Sequence, residues 1–147
     1  MELGDARQAN EELDSITPAV QVHPAVLSAR WSIYAKLKRF DGCLEISRTL
    51  KELKPHDLNS WIFYANSLYW LNRTQEAWDV LSPMAKQFPK SATIPYNLAC
   101  YVCQLGDLVK ARELLEKAIR IDGSKRFRLM ALEDKDLEPL WGKLGGT

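Results

Sequence analysis

Four small residues recur at a spacing of 34 in this chain: Ala9, Cys43, Ala77 and Ala111. Self-similarity at that period marks an array of stacked helix–turn–helix units. Each such unit buries its apolar face only against its neighbours, so the fold grows by adding rows and every row repeats the same contacts. An array of this kind builds a surface, and surfaces bind.

Rows of 34 align further columns. Trp31, Ala65 and Ala99 form one, Tyr34, Leu68 and Val102 another, and Leu37, Leu71 and Leu105 a third. Small residues in a column let two helices approach where a longer side chain would hold them apart. Trp31 departs from its column and is expected to fill space near the start of the array. Lys38, Asn72 and Gly106 fall where the turn between paired helices is needed. Asn and Gly adopt a positive φ readily and Lys less so, which predicts a differently built first turn. Leu50, Met84 and Ala118 are the late apolar column, and Pro55, Pro89 and Gly123 close the rows and stop each second helix.

Apolar residues follow i, i+3, i+4, i+7 spacing, as at Leu98, Tyr101, Val102 and Leu105, and strand-type alternation is absent. The pattern predicts an all-α chain with a leading helix at 5–16, then a loop through Pro18 and Pro24. Helix pairs are expected at 25–37 and 41–53, 58–71 and 75–87, and 93–105 and 108–121, with closing helices at 125–133 and 137–142. Pro95 is tolerable only in a first helical turn, which places that helix start at Thr93 or Ile94.

The 147 residues suit one domain. Hydrophobic residues at 46% and charged residues at 27% are ordinary for a soluble globular chain, and a net charge of +1 gives no field toward nucleic acid or membrane. Three cysteines imply no disulfide framework. The acidic opening Met1–Asp5 does not read as a signal peptide, and no apolar run approaches the roughly 18 residues of a membrane span. A cytoplasmic location is expected.

The third row, Tyr96 to Asp122, resembles a tetratricopeptide repeat through Tyr96, Leu98-Ala99, Gly106-Asp107, Ala111, Leu115, Ala118 and Gly123. The second row is similar through Trp61, Tyr64-Ala65, Leu68, Ala77, Leu81 and Pro89. The first keeps Tyr34, Phe40, Cys43, Leu50 and Pro55 but has Arg30-Trp31 where Leu and a small residue belong. Ala9, Leu13 and Ile16 look like the second half of an incomplete repeat. The resemblance implies a right-handed superhelix of antiparallel helix pairs in a single domain over 1–147. It has a leading helix (5–16), repeats at 24–57, 58–91 and 92–125, capping helices at 126–142 and a tail at 143–147. Leu129 and Leu132 are expected to continue the packing columns, Leu137, Leu140 and Trp141 to fold back on them, and Asp136 to cap the last helix.

Residues that could carry chemistry are few. Cys100 and Cys103 form a C-x-x-C pair, but it lies within a helix with no strand before it, and zinc needs about four ligands. His23 and His56 sit in loops beside prolines with no ligand spacing to the thiols. No phosphate-cradling Gly loop occurs; Gly145-Gly146 is a tail. The basic residues from Lys110 to Arg128 interleave with Glu113, Glu116 and Asp122 as on a solvated helix face. These observations predict no enzyme, no cofactor, no metal and no nucleic-acid partner.

The resemblance places ligands on the first helix of each pair. By column this gives Ser28, Ser32, Ala35 and Lys36, then Asn59, Ile62, Asn66, Tyr69 and Trp70, then Thr93, Tyr96, Cys100, Cys103 and Gln104. Aromatic residues with a polar tip are favoured interface anchors, which draws attention to Tyr69, Trp70 and Tyr96, whereas Trp31 and Trp61 read as core. The basic and amide residues with which some family members hold an acidic C-terminal peptide are replaced here by Ser28, Ser32, Phe63, Thr93 and Asn97. The expected function is a protein-interaction module capturing an apolar or mixed peptide in a concave groove, as a monomer or weak homo-oligomer. The alternatives are a small secretion-type bacterial chaperone that shields apolar segments, or a self-associating scaffold.

Overall fold

A computed structural model of the chain describes residues 3–15 and 22–144. Ile16, the loop at Pro18 and the terminal Gly145-Gly146 lie outside the described residues. All regular structure among the described residues is helical. The chain divides into two compact units, Met1–Asn72 and Arg73–Thr147.

Unit 1 holds α1 (Leu3–Asp14), α2 (Pro24–Lys36), α3 (Phe40–Leu53) and α4 (Leu58–Trp70). Pro24 opens α2 at a position where its missing N–H costs nothing, and the His23 side chain accepts from the Ala25 amide at 3.1 Å. Asp57 caps α4 through the Asn59 amide at 3.1 Å. The core gathers Leu27, Trp31, Cys43, Ile46 and Leu50, with Tyr34, Ala35, Phe63 and Trp70 packed against it. Trp31 is its centre, stacking on Phe63 at 4.3 Å and Trp70 at 5.4 Å between ring centroids. Its indole N–H donates to Ser67 Oγ at 2.9 Å, so the buried donor is satisfied. Cys43 is fully buried, and its thiol contacts the Trp31 carbonyl at 3.6 Å. The small residue of the 34-residue column therefore lets α3 approach the α2 backbone. Gly42 adds a second close approach, since a Cβ there would lie 2.5 Å from the Tyr34 ring.

Trp61 is half-buried, with its N–H on the Pro55 carbonyl at 2.8 Å and the Lys51 ammonium over its ring. The leading helix is held by Arg30, which is 9% exposed and donates to Asn10 Oδ1 at 3.0 Å and Asp14 Oδ1 at 2.7 Å. That bond explains why Arg30 stands where the repeat pattern has an apolar residue.

Unit 2 holds α5 (Thr74–Leu81), α6 (Met84–Gln87), α7 (Thr93–Gln104), α8 (Leu108–Asp122), α9 (Arg126–Glu133), a 3₁₀ helix (Lys135–Leu140) and α10 (Trp141–Leu144). Helix α7 starts at Thr93, which puts Pro95 in its first turn. The α7–α8 pair is the most extensive packing in the unit, built on Ile94, Leu98, Ala99, Tyr101, Ala111, Leu115 and Ala118, all at most 3% exposed. Asp107 caps α8 through the Lys110 amide at 3.0 Å, and Gly123 at φ 74 ends it in the left-handed conformation.

Four details differ from the sequence expectation. Lys38 takes φ 59, so the first turn resembles those at Asn72 (φ 62) and Gly106 (φ 93). The turns at 38 and 106 share one bonding pattern: Arg39 N to Tyr34 O at 2.8 Å and Lys38 N to Ala35 O at 3.1 Å match Asp107 N to Val102 O at 3.0 Å and Gly106 N to Cys103 O at 3.1 Å. These bonds satisfy the orphan carbonyls of the helix end and outweigh the steric cost of a left-handed Lys. The helix expected over 75–87 is divided at Ser82-Pro83, because Pro83 has no N–H to continue the ladder. Leu129 is 59% exposed, whereas Phe127 and Ala131 are at most 3% exposed; the left-handed Gly123 resets the helical phase. Asp134 is the cap, accepting from the Asp136 amide at 3.0 Å, while Asp136 lies in the first turn.

Candidate functional site

Unit 1 contains a cleft of about 550 Å³ between its leading helix and α2. Helix α1 contributes Ala9, Glu12 and Leu13, and α2 contributes Ala29, Ser32, Ile33 and Lys36. Apolar atoms of Ala9, Leu13, Ala29 and Ile33 make most of its wall, while Glu12 and Lys36, both exposed, bring one charge of each sign to it. Two residues expected at the site from the sequence, Ser32 and Lys36, therefore line one concavity. Ser28 is one turn away and half-buried, its carbonyl accepting from Ser32 Oγ at 3.2 Å. The sequence reading took Ala9 and Leu13 as packing residues and passed over Glu12, Ala29 and Ile33. The signal was the period itself, which places them one row before residues that are covered in the next repeat.

The candidate residues on α4 divide by exposure. Asn59 is exposed, Asn66 half-buried, and Ile62 and Tyr69 each 8% exposed. Trp70 is half-buried between Trp31 and Phe40, its ring 5.2 Å from the latter.

In unit 2 the candidates on α7 meet the C-terminal segment. Tyr96 is 5% exposed, and its hydroxyl donates to Asp134 Oδ2 at 2.8 Å. The Cys100 thiol, also 5% exposed, reaches the same oxygen at 3.9 Å. Asp134 thus uses one carboxylate oxygen on α7 and the other on its own helix cap, pinning the 3₁₀ helix against α7. Leu137 and Leu140 lie beneath it at 0% and 1% exposure, and the Trp141 indole donates to the Ala131 carbonyl at 2.7 Å. Gln104 is exposed and accepts from Thr74 Oγ1 at 2.6 Å.

The electrostatics of this corner bear on the C-x-x-C pair. Burial, then the charges of Asp134 and Asp136, pushes the Cys100 thiol well up. Cys103 is raised by burial and then by the same two carboxylates, and the Tyr96 phenol by burial and then by Asp134. Only a thiolate is a good nucleophile or metal ligand, so both thiols sit in surroundings that oppose that chemistry at neutral pH. The Cys100 sulfur and carboxylate oxygens of Asp134 and Asp136 lie within 4.8 Å of one another, and hydrogen bonds from Tyr96 and Cys100 hold the Asp134 oxygen there. Among the described residues no helix is long and apolar enough to cross a membrane.

No protein-family model matches the chain. No curated protein is similar enough to count as a relative. Among solved structures, the crystal structure of MamA, a tetratricopeptide-repeat protein, superposes with a TM-score of 0.67. The match covers 98% of this chain and 91% of that one at 20% identity. The helix pairs, the left-handed turns at 38, 72 and 106 and this likeness together establish the fold as that of a tetratricopeptide-type helical repeat.

Proposed function

We propose that the chain is a non-enzymatic protein-interaction module that holds a peptide or protein segment against the first helices of its pairs. The observation that carries this reading is the unit 1 cleft, an apolar concavity with few polar groups, in a fold of stacked helices. Ser28, Ser32, Lys36, Asn59 and Asn66 are the polar candidates of unit 1, and Gln104 that of unit 2. Tyr69, Trp70 and Ile62 shape the unit 1 face from beneath, whereas Tyr96 and Cys100 lie under the 3₁₀ helix of unit 2.

Site-specific photo-crosslinking in the native host tests the reading. A crosslinker at Asn66 or Gln104 is expected to trap a discrete protein partner, while Glu45 and Glu113, exposed on second helices, trap none. Equal labelling from all four positions, or none from any, would remove the interaction reading. A self-association reading draws support from Leu129 and Met130, which are 59% and 41% exposed on α9. Sedimentation of the Leu129→Glu chain tests it: dissociation of a native oligomer supports the reading, and a native monomer at all concentrations ends it.

A further inference from the structure

In unit 2 the C-terminal segment brings two carboxylates to the C-x-x-C pair of α7. The pair alone offers two ligands where zinc takes about four. The fold supplies the others. The Cys100 sulfur and one carboxylate oxygen each from Asp134 and Asp136 lie within 4.8 Å of one another, and the sulfur stands 3.9 Å from Asp134 Oδ2. Around a tetrahedral zinc, with bonds of about 2.3 Å to sulfur and about 2.0 Å to oxygen, such atoms stand about 3.5 Å apart. Small side-chain rotations therefore close the set on an ion. Cys103 follows Cys100 by three residues, on the same side of α7. Its thiol is 6% exposed and has no hydrogen-bond partner among the described residues. The charges of Asp136 and Asp134 act on it as they do on Cys100. Asp134 is held by both oxygens, Oδ2 accepting from the Tyr96 hydroxyl at 2.8 Å and Oδ1 from the Asp136 amide at 3.0 Å. A carboxylate oriented in this way is a prepared ligand. Asp136 is exposed, which gives an ion a route from solvent.

We propose that Cys100, Cys103, Asp134 and Asp136 form a binding site for Zn²⁺, and that the ion fastens the 3₁₀ helix to α7. Thiolate ligands disfavour Mg²⁺ and Ca²⁺, and two sulfurs with two oxygens suit the four-coordinate zinc ion. On binding, each thiol gives its proton to solvent, and the ion takes the place of the contact between the Cys100 thiol and Asp134. The carboxylates that keep the thiols protonated in the free protein are the groups that draw the cation. Its two positive charges then reverse the local preference and hold both sulfurs as thiolates. Tyr96 keeps its bond to Asp134 and acts as a positioning residue. The proposal is independent of the interaction reading, because no part of it requires a partner protein.

A cobalt titration of the full, reduced chain tests this, with Co²⁺ as the visible stand-in for Zn²⁺. A single equivalent is expected to bring thiolate-to-cobalt charge-transfer absorption and strong tetrahedral d–d bands, which Zn²⁺ then abolishes. The Asp136→Ala chain is expected to bind Co²⁺ at least tenfold more weakly. That substitution is at an exposed position, so the fold is kept, which unchanged helical circular dichroism verifies. Cys103→Ala is expected to weaken binding at least tenfold and to lose part of the charge-transfer intensity. Cys43→Ala removes the thiol of unit 1 and is expected to leave the spectrum as it is. Zn²⁺ is expected to raise the melting temperature of the native chain more than that of Asp136→Ala. Binding without charge-transfer absorption would put the ion on surface carboxylates alone and overturn the proposal. So would no cobalt band up to about 1 mM Co²⁺, a band that depends on Cys43, or an affinity unchanged in either Asp136→Ala or Cys103→Ala.

Discussion

The two units treat the flanks of their helix pairs in opposite ways. In unit 2 the chain after the last pair folds back: the 3₁₀ helix covers the α7 side that carries Tyr96 and Cys100, and Leu137 and Leu140 vanish from solvent. In unit 1 the corresponding problem at the leading helix is left as a cleft of about 550 Å³, walled by small and aliphatic side chains. A repeat array always meets this problem, because each row is built to have a neighbour. The contrast shows that covering a flank takes specific polar fastenings as well as apolar residues. Asp134 holds three partners on the closed side. On the open side the fastening is Arg30, which holds α1 through Asn10 and Asp14.

The largest test sets a closed position against an open one. Ala111 is 0% exposed in the α7–α8 packing, so Ala111→Arg both overpacks and buries an unpaired charge, and about 3–5 kcal/mol of stability is expected to go. Ala29→Arg at the cleft is expected to cost under about 0.5 kcal/mol, since surface substitutions stay in that range. Urea unfolding followed by circular dichroism reads both, and comparable losses would mean that the cleft is no more open than the core.

Next in size are the polar fastenings. Asp134→Ala strands the Tyr96 hydroxyl and removes a helix cap, and Ser67→Ala strands the Trp31 indole N–H; each is expected to cost about 1–3 kcal/mol. If Asp134→Ala matters and Ser67→Ala does not, unit 1 depends on stacking alone.

The alkaline limb distinguishes the units by titration. Burial pushes the Cys43 thiol in unit 1 from 9.0 up to about 11. A raised thiol pKa favours the protonated folded state. Its contribution is complete below pH 9, where the unfolded chain also keeps the proton, and is lost as pH rises through about 11. The loss is on the order of 2 kcal/mol. Thermal melts between pH 8 and 11 are expected to be flatter for Cys43→Ala than for the native chain. Parallel slopes would assign the alkaline loss to unit 2, where Cys100 and Cys103 shift in the same direction.

The smallest effect is a gain. Lys38 sits at φ 59, so Lys38→Gly is expected to add up to about 1 kcal/mol. A loss instead would show that the Lys38 side chain contributes packing in unit 1 that Gly106, in the matching turn of unit 2, does without.

Much of the fold was legible because the period is written in residues whose size matters. Cys43, Ala77 and Ala111 are each 0% exposed, and the turn positions 38, 72 and 106 all carry a positive φ. The break at Pro83 is a local effect, a missing N–H that the period does not register, whereas the differences at Lys38, Leu129 and Asp136 share another cause. Local propensity is worth about 1 kcal/mol, and a helix-end bonding pattern or a shift of helical phase outweighs it. The site was half legible. Columns identify which residues face a neighbour, which is how Ser32 and Lys36 were found. They do not reveal where a cleft opens, so Ala9 and Leu13 read as ordinary packing, while Glu12, Ala29 and Ile33 carry no signal of their own.

The stack around Trp31 has an optical consequence. Of five tryptophans, Trp31 and Trp70 lie with ring centroids 5.4 Å apart and planes 27° from parallel. Two indoles that close are expected to couple their strong far-ultraviolet transitions, which would give unit 1 an exciton-type dichroic couplet of its own. The signal follows the seating of α2 on α4 without any label. A folded chain with that couplet erased would betray unit 1 loosening while its helices persist.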